Sequence, residues 1–89
     1  MEPDKEKRKL LNRLRRIRGQ VDALERALDA DNHATVLQQA TACRGALDGF
    51  IAEVIEDHIR ERVVDPERRD TPQGRAAEEL IEIVHSYLT

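Results

Sequence analysis

The chain has 89 residues, 39% hydrophobic, 37% charged and 2% aromatic, with a net charge of −3. That suffices for one small domain, residues 1–89, with an aliphatic core near the size at which a lone core is marginal and association helps. No apolar run is long enough to span a membrane, MEPDKEKRK is no secretion signal, and a single cysteine excludes an intrachain disulfide framework, so a reducing cytoplasm is the expected location.

The first helix is predicted over about residues 4–29, with Asp4 as N-cap. Leu10, Leu14, Ile17, Val21, Leu24 and Leu28 step 4-3-4-3-4, a coiled-coil-like seam. Gly19 interrupts it at a cost of about 1 kcal/mol relative to alanine, so a close packing contact or a nearby backbone is expected there. DADN at 29–32 is a turn, with Asp31 or Asn32 capping the next helix. So short a link predicts an antiparallel hairpin.

The second helix is predicted over about 31–63. Val36, Ala40, Cys43, Leu47, Phe50 and Val54 form one apolar row, and Leu37, Ile51, Ile55 and Ile59 a second beside it. A helix apolar on two sides needs cover on two sides, and other subunits are expected to supply part of it. VDPERRDTPQG then reads as an exposed connection. Thr71 as N-cap and Pro72 at the first helical position open a third helix, about 71–88, with Ala76, Ala77, Leu80, Ile81, Val84 and Leu88 on its apolar face. No strand signal is present, so the chain is all-α.

Charge is unevenly spread. Residues 1–18 hold eight Lys/Arg against three Asp/Glu, a net of +5, and the remainder holds seven against fifteen, a net of −8. Lys5, Lys7, Arg8, Lys9, Arg13, Arg15, Arg16 and Arg18 alternate with the seam, so the guanidinium groups stay solvated and are suited to phosphate contacts. A merely solvated basic face on a non-sensing structural oligomer is the competing reading. The first two helices are too long, and the chain between them too short, for a helix-turn-helix.

Ala42, Gly45, Ala46 and Gly49 place small residues near one face of the second helix. They suit close approach of two helices, within the subunit or between subunits. If the second helix pairs with its own copy about a two-fold axis at Gly45 and Ala46, facing residue numbers sum to 91. His33 then faces His58 of the other chain. Within one helix the two are about 37 Å apart. Paired histidines begin a site for a borderline transition metal without completing it, and each is equally readable as an ordinary surface residue. Cys43 reads as a buried small hydrophobe and His85 as structural or exposed. No Gly-rich phosphate loop, nucleophile motif or HExxH is present, so no enzymatic activity is expected.

RLRRIRGQVDALERAL at 13–28, LQQATACRGALDGFIAEVIEDHIRE at 37–61 and LIEIVHSYL at 80–88 resemble the CsoR/RcnR/FrmR family of bacterial transcriptional repressors, with wording most similar to the formaldehyde-responsive FrmR branch. The resemblance covers the chain from about Lys5 to the end, apart from residues 65–79. It implies a three-helix subunit, an antiparallel dimer and a disc-like homotetramer. It further implies repression by operator binding, with Arg13, Arg15, Arg16, Arg18 and Arg44 facing DNA. An effector at the dimer interface, a transition metal or a formaldehyde-type electrophile, would release the operator.

The sequence departs from the family pattern at the sensing positions. His33 stands where the family has cysteine, His58 is retained, Arg62 stands at the third position, and Cys43 occupies a normally apolar one. Without thiolates the set disfavours Cu(I) and suits Ni(II), Co(II) or Zn(II), if Glu2, the N-terminal amine or a water completes the shell. Arg62 opposes a bound cation, and the missing cysteine also disfavours the family's formaldehyde chemistry.

Overall fold

The computed structural model describes residues 3–89. Its order is α1 (Pro3–Asp29), α2 (His33–His58), a π turn (Ile59–Val63), a 3-10 turn (Pro66–Arg68) and α3 (Pro72–Leu88). It is all-α, with three helices and no strand among the described residues. The chain falls into two compact units, Met1–Phe50 and Ile51–Thr89, whose boundary crosses α2. α1 begins at Pro3, so Asp4 lies inside the helix rather than at its N-cap.

In the first unit the turn between α1 and α2 is a Schellman closure. Asn32 N–H bonds the Ala27 carbonyl and Asp31 N–H the Leu28 carbonyl, both at 3.0 Å. Asp31 takes the left-handed conformation this motif requires at its C′ position, with φ 55°. Asn32, rather than Asp31, caps α2: its Oδ1 accepts from Thr35 N–H at 3.2 Å. The second helix therefore starts two residues later than predicted. Asp31→Val, which puts a β-branched residue at positive φ, is expected to cost about 1–2 kcal/mol, whereas Asp31→Gly should be tolerated. Chemical denaturation of the two variants checks this.

The hairpin is visible in a side-chain contact. The Arg13 guanidinium lies over Gly49, where a Cβ would stand 2.8 Å from Arg13 Nη1. Positions near equal distances either side of the turn therefore face each other, as antiparallel helices require. Ile17, Ala27 and Cys43 are buried here. The rest of the seam is not: Leu14, Val21 and Leu28 are exposed, and on α2 Leu37 is 69% exposed. Gly19 has nothing within 4 Å of an added Cβ, so the close contact expected there is absent within the protomer's described residues.

In the second unit the long helix runs on to Val63 as predicted, but its last turn is π, closed by Val64 N–H to the Ile59 carbonyl at 3.1 Å. Ala52, Ile59 and Ile81 form the buried centre. α3 opens as its sequence predicts. Thr71 Oγ1 accepts from Gly74 N–H at 3.1 Å, with Pro72 in the first turn. Its apolar face is divided: Ile81 is buried and Ala77, Val84 and Leu88 are half-buried, while Ala76 and Leu80 are exposed.

Asp65 caps the short 3-10 turn, accepting from Glu67 N–H at 3.0 Å. Thr71 donates both its N–H and its hydroxyl to the Arg68 carbonyl. That closure folds the backbone of Arg68 and Arg69 onto Gly74, leaving no room for a Cβ.

Candidate nucleic-acid interface and effector positions

α1 carries its arginines at spacings that spread them around the helix, because 3.6 residues make a turn. Arg15, Arg16 and Arg18 are exposed, and Arg15 donates to Asn12 Oδ1 at 3.1 Å. Leu11 and Leu14 lie beside Arg15 and Arg18 at the surface. Arg13 differs: it is half-buried and its guanidinium packs on Gly49. Four of the five arginines expected to face DNA are thus solvent-facing, since Arg44 on α2 is exposed as well. Arg13 belongs to the inner side of the hairpin.

The small-residue row is open where Gly45 stands, with nothing within 4 Å of an added Cβ. Gly49, at its other end, is covered by Arg13 of the same protomer. A close approach within the subunit is thus present at Gly49, while the space beside Gly45 is unfilled among the described residues.

His33 is the first residue of α2 and His58 the last, and both are exposed. Among the described residues no three His, Cys, Asp or Glu side chains converge on a point where a metal ion would sit. Glu2 and the N-terminal amine lie outside the described residues. Two imidazoles suit a borderline divalent ion and supply half of a tetrahedral shell. Arg62 is exposed within the π turn that follows His58. Cys43 is buried and a free thiol, as expected of a small hydrophobe.

Around the C-terminal end of the long helix, two polar pairs tie α3 down. Arg60 donates to both carboxylate oxygens of Glu78, at 3.3 and 3.2 Å. These bonds hold the Arg60 guanidinium above its ordinary range and the Glu78 carboxyl below the usual glutamate range. Such a depressed carboxyl stabilises the fold above the unfolded value, and the contribution is lost as pH falls through the lowered folded value. Both groups are well exposed, so solvent screens the effect. His85 Nδ1 lies 2.8 Å from Glu56 Oε1. Sequence reasoning left His85 structural or exposed; it is exposed and paired. Neither pair was legible beforehand, because partners 18 and 29 residues apart leave no local pattern.

No helix among the described residues is long and apolar enough to cross a membrane. The family model described as metal-sensitive transcriptional repressor matches residues 6–86. A Serratia marcescens protein from the bioA 5′ region is 40% identical over 85 residues, covering 94% of this chain and 93% of that protein. The transcriptional repressor RcnR of Salmonella paratyphi B is 38% identical over 88 residues, with the same coverage. Among solved structures, a glutamate-to-histidine variant of the formaldehyde-responsive regulator FrmR from Salmonella enterica serovar Typhimurium matches with a TM-score of 0.68. It is 40% identical, and the match covers 97% of each chain.

Proposed function

The chain belongs to the CsoR/RcnR/FrmR family of metal-sensitive transcriptional repressors, and from that premise we propose that it is a cytoplasmic, homotetrameric operator-binding protein released by an effector at its dimer interface. The observation that carries the reading is the exposed cluster Arg15, Arg16 and Arg18 on α1, in a chain whose remaining residues are net acidic. Arg44 on α2 is exposed as well, while Arg13 lies over Gly49 within the hairpin. Residues 1–89 act as one functional domain.

The exposed leucines and valines of the hairpin support association, since a protomer leaving Leu28 and Leu37 to solvent gains by covering them. In an antiparallel dimer His33 and His58 of different protomers come level and offer nitrogen ligands to Ni(II), Co(II) or Zn(II). The test has two arms. A duplex from the protein's own promoter region should be retarded at low salt and released as salt rises; no retardation sinks the repressor reading. His58→Ala should abolish stoichiometric binding of these ions, and equal binding by the variant removes the shared site.

A further inference from the structure

The long helix widens just after His58. The bond from Val64 N–H to the Ile59 carbonyl spans five residues where an α-helix spans four, so Ile59–Val63 holds one residue more than the α register needs. Nothing local demands this, because IRERV has no proline or glycine. Tertiary contacts hold the turn instead. Ile59 is 6% exposed and shares a hollow with Ala77 and Ile81 of α3. Arg60 is tied to Glu78, and one turn earlier Glu56 is tied to His85. α3 is therefore anchored on both sides of residues 61–63, to residues 56–60 before them and to Arg68 and Arg69 after them.

On the far side the packing is loose. A cleft of about 530 Å³ separates Val63 and Val64 from Ala76 and Leu80. A side chain at position 63 has room to move without displacing a packed core.

We propose that the π turn is a register switch, a stored residue taken up or released between the operator-bound and operator-free states. This rests on the repressor reading and deepens it by naming the moving part. In the α register Val63 N–H takes the Ile59 carbonyl now held by Val64. Arg62 and Val63 swing about the axis by up to one residue step, about 100° and 1.5 Å, and Val64 passes into the connection. Because α3 is anchored on both sides of the surplus, the movement is confined to the few residues between and changes what stands next to His58. Two discrete registers, rather than graded bending, suit a two-state response.

Deleting Glu61, an exposed residue of the turn, removes the surplus and fixes the α register. The deletion should shift affinity for the promoter duplex at least tenfold, while Glu61→Ala stays within twofold of wild type. As a second measurement, the Val64 amide of the wild-type protein should change its hydrogen-exchange rate at least tenfold on duplex binding, while the Ile81 amide does not. If wild type binds the duplex, the Val64 rate is unmoved and the deletion binds like wild type or does not fold, the switch is overturned. Failure of wild type to bind at all overturns the repressor reading instead.

Discussion

Replacing Arg16 and Arg44 together by alanine is expected to weaken promoter binding steeply and to flatten its dependence on salt. Both side chains are exposed, and a guanidinium group is suited to phosphate. Each neutralised phosphate contributes a slope of about 0.9 in log affinity against log salt. With two protomers facing the duplex, the double variant should lose roughly four such contacts and about four units of slope. Arg13→Ala is the informative contrast. Its guanidinium lies over Gly49, so its loss should lower stability and leave the slope near that of wild type. Filter binding across a salt series reads both. A double variant with an unchanged slope would remove Arg16 and Arg44 from the interface.

Gly74→Ala is expected to be the most destabilising single-methyl change in the chain. An added Cβ would run into the backbone carbonyls of Arg68 and Arg69, which cannot rotate away as a side chain does. Those carbonyls are fixed in turn, because Thr71 bonds the Arg68 oxygen through both N–H and hydroxyl while its Oγ1 accepts from Gly74. Relief requires opening the cap of α3. A cost of about 3 kcal/mol is the expected scale for overpacking against rigid atoms. In a chain of this length that lowers the melting temperature by roughly 12–24 °C. Gly19→Ala is the matched control: its Cβ meets nothing, and a gain of up to about 1 kcal/mol is expected from helix propensity. Thermal melts of the two variants should move in opposite directions. A Gly74→Ala melt within a few degrees of wild type would show that the turn can yield.

What the sequence made legible was whatever depends on near neighbours. The three helices follow from apolar spacing, and Asn32 and Thr71 mark the starts of α2 and α3 through bonds that span three residues. The arginine row is likewise a matter of spacing along one helix. Gly74 was not legible, since its need arises from carbonyls brought back by a turn. The π turn was hidden for a related reason: IRERV is a good α-helical string, and only Ile59 and Arg60 reaching α3 distinguish it. Arg13 was read with the other arginines because position alone does not reveal that α2 lies beneath it. The seam was legible as apolar, but its uneven burial was not, because how much of a stripe one protomer covers depends on the partner helix.

Cys43 gives the molecule a built-in clock. It is the only thiol in the chain, and its side chain sits in the centre of α2 at 6% exposure. A thiol reagent reaches it only when the hairpin parts, so the modification rate under native conditions measures how often the two helices separate. Because the wild-type chain carries this reporter already, breathing of the hairpin can be timed with and without operator without introducing a foreign label.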